Sequence, residues 1–407
     1  MKKKIMTSCL VAALLVTGFM GVSRFSNPQA PLNIETVGDT MGQETKNGNS
    51  SMDIAAKGAI LIDAGTGKVL YEQDSHKELP PASVTKIMTM LLVMEAVEDG
   101  KISLKDTVTI SERAASMGGS QMYMEPGEQH SLEEIMEGIA IVSANDACVA
   151  AAEYVSGNEE IFVEQMNKRA KELGMRDTNF VNTNGLPVAE HYTSAYDIAL
   201  MSRLLIEHKE TSKWFNTWQT TIKVGLPGKE KEFGLTNTNK LIKFYPGANG
   251  IKTGFTAEAG YCLSGSATKN DTTLIAVVLG AESAKIRNGE IAELFNYGFA
   301  SYQSVEVAKQ NQPMKKVEIL SGEPFIVNAV SKDRVTALVK KGEEETIKTK
   351  IEINKKIKVP MKAGTEIGKL MVYVQKEKVG EYPLVVEKKV DKTSFVKYYI
   401  RKIKELI

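Results

Sequence analysis

Apolar and polar positions fall into distinct textures along the chain. An apolar run from Ile5 to Val22 follows Met1-Lys2-Lys3-Lys4. A basic start followed by an apolar stretch predicts a secretory leader, taken to cover residues 1–30. The run also has nearly the length of an uncleaved anchor. Residues 31–56 are rich in Gly, Ser, Asn and Thr and carry neither a helical nor a strand period. They are expected to form a flexible linker.

Regular patterning begins near Lys57. Strand-like runs at Ala59–Ile62 and Lys68–Tyr71 flank Ala64-Gly65-Thr66-Gly67, which predicts a hairpin. Pro80-Pro81 stops the chain, and a helix is expected from Ser83, with Ile87, Met90, Leu91 and Met94 on one buried face. Ser131-Leu132-Glu133-Glu134 reads as a capping box ahead of Ile135, Ile139 and Val142. Further helices are predicted through Phe162–Leu173, Ser194–His208 and Lys285–Phe299. A second hairpin is expected from Gly260–Thr268 and Thr273–Gly280. Helices therefore lie between two outer strand pairs, so one sheet must gather strands from both ends. This is an α+β layered domain, placed at residues 57–303. From Ser304 short alternating runs such as Ile347–Ile353 predict a small antiparallel β domain to residue 390.

Residues 391–407 repeat differently. At about 100° per residue, Phe395, Val396, Tyr399, Ile400, Ile403, Leu406 and Ile407 fall within an arc of roughly 140°. Lys397, Arg401 and Lys404 cluster opposite. The pattern predicts an amphipathic helix lying on a membrane surface, with its basic residues near anionic lipid.

Composition narrows the function classes. Fifty-one Lys+Arg nearly cancel fifty Asp+Glu, for a net charge of +1. A nucleic-acid partner is not expected from that balance. Three Cys exclude a disulfide scaffold, and Cys148 and Cys262 are expected to be buried free thiols. Cys9 precedes most of the apolar run, which argues against a lipoprotein. The four His residues (His76, His130, His191, His208) show no metal-ligand spacing. Neither a metal nor an organic cofactor is expected.

The chemistry concentrates in three short motifs. Ser83-Val84-Thr85-Lys86 puts an amine one helical turn from a hydroxyl, and a serine needs such a base to become a nucleophile. Ser266…Lys269 and Ser394…Lys397 share the spacing. The first sits in a strand pattern, where the two residues face opposite sides, and the second opens the terminal helix. Ser143-Ala144-Asn145 follows a predicted helix, and Lys252-Thr253-Gly254 precedes the second hairpin.

Together the motifs resemble the active-site-serine, penicillin-recognising family. They are more closely similar to its low-molecular-mass D-alanyl-D-alanine carboxypeptidases. The resemblance is carried by Pro80–Thr89, Ser143–Ala147, Asn184-Gly185-Leu186, His191–Asp197 and Gly250–Thr256, and it extends from about Lys57 to the C-terminus. It implies a β-lactamase/transpeptidase-like catalytic domain followed by a small all-β domain and a C-terminal amphipathic helix. It also implies an exported enzyme at the outer face of the membrane. Its substrate would be a peptidoglycan stem ending in D-Ala-D-Ala, and β-lactams would acylate it. Ser83 would attack the peptide carbonyl, with Lys86 as proton acceptor and Ser143 as relay to the leaving amine. Asn145 would bind the substrate amide. Lys252 and Thr253 would hold the terminal carboxylate, and the Lys252 ammonium would lower the pKa of Lys86. Gly254 would let its strand approach the peptide, and the N–H groups of Ser83 and Phe255 would form an oxyanion hole. Arg287 would assist with the carboxylate, while Asp197 and His191 would be structural. A β-lactamase would need a water-activating carboxylate, and no Glu-x-x-x-Asn stands between Ser143 and Lys252. A non-turnover sensor is the other alternative; it would acylate once and stop.

Overall fold

The computed structural model describes residues 52–404. The expected leader, residues 31–51 of the expected linker, and Leu406 and Ile407 of the terminal helix lie outside them. The linker reading fails at its end. Ile54 and Ala56 are buried, and Glu290 Oε1 accepts from the N–H groups of Ala55 (2.6 Å) and Ala56 (3.1 Å). Ordered packing thus begins before Lys57.

β1 (Gly58–Asp63) and β2 (Val69–Gln73) form the first hairpin. A 3₁₀ turn (Ala82–Thr85) leads into α1 (Lys86–Glu98). β3 (Thr107–Thr109) and β4 (Gln129–Ser131) make a small ribbon around α2 (Glu112–Ala115). α3 (Leu132–Ile141), α4 (Asn145–Ser156), α5 (Glu159–Glu172), α6 (Ala195–Leu205) and α7 (Lys209–Asn216) follow. β5 (Gln219–Val224) pairs with β6 (Lys231–Thr236), a hairpin the sequence pattern did not reveal. After α8 (Leu241–Phe244) come β7 (Ala248–Thr256), β8 (Gly260–Lys269), β9 (Thr272–Ala281) and α9 (Ala284–Ser301).

The main sheet has the order β2-β1-β9-β8-β7, antiparallel throughout, so strands from both ends of the region do meet. Ser264 on β8 bonds to Ser202 of α6 (2.8 Å), while its neighbour Gly265 lies under Ile291 and Phe295 of α9. Successive strand residues face opposite sides, so α6 and α9 cover opposite faces. α1 is buried more completely than an amphipathic pattern predicts: Met88 and Val93 are inaccessible along with Ile87, Met90, Leu91 and Met94. The helix runs through the core rather than along its surface. Burial of its apolar residues, each worth about 1.5–3 kcal/mol, fixes the platform that carries Lys86.

The second region comprises β10 (Tyr302–Ala308), β11 (Pro313–Glu318), β12 (Gly322–Glu323), β13 (Ile326–Ser331) and β14 (Val335–Lys340). β15 (Ile347–Ile353), β16 (Glu366–Val374), β17 (Glu377–Val386) and β18 (Asp391–Lys392) complete it. β11-β13-β17-β16-β15 form its larger sheet. Val327, Ala329, Val335, Leu370, Val372, Leu384 and Val386 are part of its own apolar core. β10 already pairs with β14 from Tyr302, so the strand starts two residues before the expected boundary at Ser304. Arg334 ties the two regions, reaching Asp271 (3.0 Å) in the β8–β9 turn and Glu306 (2.7 Å) on β10.

The chain ends in α10 (Phe395–Lys404). Its apolar residues Phe395, Val396, Tyr399, Ile400 and Ile403 are all exposed. Its polar side is turned to the protein. Arg401 donates to the carbonyls of Gly322 (2.7 Å) and Leu320 (3.2 Å), and Lys397 and Arg401 both reach Glu323. These two cations, expected on the polar side near anionic lipid, are held by the β domain.

Candidate active site

The sequence predicts a regular helix from Ser83, but a tighter turn places this residue and the helix starts at Lys86. Ala82–Thr85 form the 3₁₀ segment, with Ala82 left-handed (φ 47°). Two side chains hold it. The Thr85 hydroxyl donates to Ala82 O (2.9 Å) and accepts from His191 Nε2 (2.9 Å). His191 Nδ1 accepts from the Val181 N–H (2.9 Å), which fixes the neutral Nε2–H tautomer. Burial pushes this imidazole down to about 4, so it stays neutral in use. His191 is therefore a strut beneath the Ser83 turn. Gly185 is required here: its φ is +85°, and a Cβ would come within 1.8 Å of Ala82 O.

Lys86 is fully buried, and its amine is enclosed by three partners. It lies 3.0 Å from Ser83 Oγ, 2.7 Å from Asn145 Oδ1 and 2.5 Å from Asn184 O. Two of these are carbonyl oxygens and can only accept. The third is a hydroxyl and can also donate. A neutral amine would spend its two N–H bonds on Asn145 and Asn184, leaving its lone pair toward Ser83. Burial brings Lys86 down to about 8. This differs from the expected cause, since burial and not the Lys252 charge is the leading influence. Lys252 is also buried and lies well below its ordinary range, first through burial and then through repulsion from Lys86. A lysine on the edge strand β7 was thus not solvated. Its Nζ donates to Thr253 O (3.1 Å). Among the described residues, neither amine has a carboxylate at ion-pair distance.

Asn145 begins α4 and spans a gap: Oδ1 accepts from Lys86, while Nδ2 donates to Gly118 O (2.6 Å). Its amide thus holds the Lys86 amine and the 118–124 segment, beyond the expected contact with substrate. Asp146, next in the chain, clamps the same segment through the N–H groups of Met122 and Met124. Ser143 sits between α3 and α4 in the left-handed region (φ 65°), a conformation costly for a non-glycine residue. Its hydroxyl is buried and has no hydrogen-bond partner among the described residues, and neither has Asn184 Nδ2.

On β7, Thr253 donates to Thr238 Oγ1 (2.7 Å). Gly254 meets the Ser83 turn. A Cβ there would lie 2.9 Å from Ser83 N and 3.1 Å from Pro81 O. The expected reason for this glycine was the substrate peptide; the packed turn already requires it. Phe255 is exposed and stacks on Tyr261 at 4.3 Å between ring centroids. Arg287 is buried on α9, not a surface residue. It donates to Asn288 Oδ1 and Cys262 O and lies 6.0 Å from the Tyr261 ring centroid. Cys148 and Cys262 are free and buried, with their thiols pushed up to about 12 and about 11. Asp197 accepts from Asp177 N and Thr178 Oγ1, both at the base of α6.

Sequence reasoning missed Asn184 as a partner of Lys86, Thr238 as a partner of Thr253, and the Thr85–His191 strut. Asn184-Gly185 carried a signal in its turn-forming residues. Thr238, in a Thr-Asn-Thr-Asn run, carried only a loop signal.

The family model described as D-alanyl-D-alanine carboxypeptidase matches residues 44–283, and that described as penicillin-binding protein 5, C-terminal domain, matches residues 302–392. The chain is 44% identical to D-alanyl-D-alanine carboxypeptidase DacF of Bacillus subtilis (strain 168), covering 85% of this chain and 88% of that one. Among solved structures it is similar to penicillin binding protein 5 from Haemophilus influenzae, with a TM-score of 0.67 at 30% identity, covering 84% of this chain and 100% of that one. It is similar also to a peptidoglycan synthesis regulatory factor (PBP3) from Streptococcus pneumoniae, with a TM-score of 0.69 at 28% identity and the same two coverages of 84% and 100%.

Proposed function

This chain belongs to the D-alanyl-D-alanine carboxypeptidase family, and from that premise we propose how its residues divide the reaction. It is a serine-type D-alanyl-D-alanine carboxypeptidase acting on peptidoglycan stems outside the cytoplasm, and it binds β-lactams. Ser83 Oγ attacks the carbonyl between the two D-alanines and gives its proton to neutral Lys86. The oxyanion is held by the N–H groups of Ser83 and Phe255. The acyl–Ser83 ester forms as the C–N bond breaks. Ser143 passes a proton to the departing amine and recovers one from Lys86. Water then hydrolyses the ester and restores Ser83. Thr253 and Lys252 bind the terminal carboxylate, Gly254 keeps β7 against the Ser83 turn, and Asn145 spends its remaining N–H on the substrate amide. Arg287 adds positive potential from behind β8.

The observation that carries this reading is the Lys86 amine set between two fixed acceptors and the Ser83 hydroxyl. The unpartnered hydroxyl of Ser143 supports its part. The test is direct: with a peptide ending in D-Ala-D-Ala, the protein should release free D-alanine over many turnovers. A single equivalent followed by arrest would indicate a sensor instead.

The anchoring follows from α10. With its polar side tied to the β domain and five large apolar residues exposed, the helix is suited to lie on a lipid surface. Among the described residues no helix is long and apolar enough to cross a membrane. The leader at residues 1–30 and the linker up to about residue 53 would deliver the chain to that surface. Flotation with anionic vesicles should be lost on deleting residues 393–407. Because Lys397 and Arg401 already engage Glu323, salt should weaken that binding only modestly.

A further inference from the structure

We propose that Glu258 selects the residue preceding the D-Ala-D-Ala pair by binding a positive charge at the end of its side chain. The inference rests on the carboxypeptidase reading above and adds a substrate determinant to it.

A cavity of about 350 Å³ opens beside the Ser83 turn. Pro80, Pro81, Leu186, Pro187 and Val188 give it an apolar wall, and Glu258 contributes the one acidic side chain among its lining residues. His191 also lines it, but the imidazole is neutral and both ring nitrogens are committed to Thr85 and Val181. The Glu258 carboxylate is exposed and has no hydrogen-bond or ion-pair partner among the described residues. An apolar wall with one carboxylate at its rim suits an aliphatic chain that ends in an ammonium.

Chain direction puts this cavity on the acyl side. β7 is the edge of the sheet, where an extended peptide can add. The terminal carboxylate is assigned to Lys252 and Thr253, and the scissile carbonyl lies near Gly254, against Ser83. The acyl portion then runs toward Thr256. At roughly 3.3 Å per residue, the residue before the D-Ala-D-Ala pair falls near Thr256. Thr256 and Glu258 line the same cavity, so a long side chain placed there shares that space with the carboxylate.

The test uses two synthetic peptides ending in Lys-D-Ala-D-Ala that differ only in whether the lysine side chain is free or acetylated. The wild type should favour the free amine by about two- to five-fold in kcat/KM, the range of a partly exposed ion pair. The difference should appear in KM, and raising salt to about 1 M should erode it. Glu258→Gln should bring the ratio to about one while leaving the acetylated peptide unaffected, and Glu258→Asp should keep part of the preference. An unchanged ratio in Glu258→Gln, or no preference in the wild type, overturns the assignment of Glu258. Release of D-alanine from neither peptide overturns the carboxypeptidase reading itself.

Discussion

The catalytic region and the β domain spend polar groups in opposite ways. In the β domain the buried side chains are almost all apolar; Ser331 and Thr393 are the exceptions among the described residues. Its ions are on the surface, as in the Lys369–Glu381–Lys378 group. The catalytic region buries two lysines, an arginine and several carboxylates. It also holds all five of the buried side-chain atoms that lack a hydrogen-bond partner among the described residues, from Ser143 Oγ to Glu290 Oε2. A fold optimised for stability alone would pair or remove such groups. Where they persist beside a strained backbone, as at Ser143, function is the economical explanation. The difference teaches where to cut: changes in the first region should separate activity from stability, and changes in the second should not touch chemistry.

The largest expected effect is at Ser83. Ser83→Ala should lower D-alanine release by about 10⁴-fold or more and abolish covalent labelling by penicillin, with the melting temperature nearly unchanged. Label mapped to Ser266 or Ser394 would refute the assignment. Lys252→Ala comes next, with a loss of roughly 30- to 5000-fold in kcat/KM on a D-Ala-D-Ala peptide. Stability should hold or rise, because one of two buried like charges is gone.

The pH profile tests the base. Lys86 falls from an ordinary 10.5 to about 8, so the free amine gains as pH rises through 8. Acylation by penicillin should climb about ten-fold per pH unit below that value and level off above it. Between pH 8 and 10.5 the unfolded chain holds more protons than the folded one at this site, so stability should rise with pH across that window. Because burial leads the shift, Lys252→Ala should leave the acid limb near pH 8; a limb displaced well upward would restore the Lys252 charge as the main cause.

Smaller effects belong to the second region. A fragment of residues 52–301, ending before β10, should still label with penicillin within a few-fold of the full rate. Arg334→Gln should change neither labelling nor turnover, and should shift the melting temperature by no more than about 2 °C, because exposed ion pairs contribute little. A loss of activity in either case would make the β domain part of the active site.

Much of this organisation was legible where local rules suffice. The second hairpin announced itself through Asn270-Asp271, and both residues take the positive φ that a tight turn needs. The Ser131–Glu134 capping box forms as written, with both reciprocal bonds present. Ser83 and Lys86 needed their spacing and the Pro80-Pro81 stop ahead of a buried helix, which Ser266…Lys269 and Ser394…Lys397 lack. Other features depend on contacts between distant segments. Burial of Lys252 and Arg287 comes from the layers packed around them, and a charged residue in a strand or helix ordinarily reads as exposed. Asn184 serves Lys86 through its carbonyl, a group every residue possesses, so no side-chain pattern could mark that role. The hidden β5–β6 hairpin has mostly exposed, polar strands, which leave little apolar alternation to read.

The pair of buried amines has a consequence for ligand discovery. Lys86 and Lys252 repel each other, and no protein carboxylate lies within ion-pair range of either among the described residues. Any small anion that settles near Lys252 relieves that repulsion, and whatever binds the folded state alone raises its melting temperature. Thermal-shift screens of this protein should therefore favour carboxylates and other monoanions over neutral compounds of the same shape. Buffer anions would compete for the same spot, and a hit measured in phosphate or sulfate should look weaker than the same compound in a buffer whose anions are bulky and weakly coordinating.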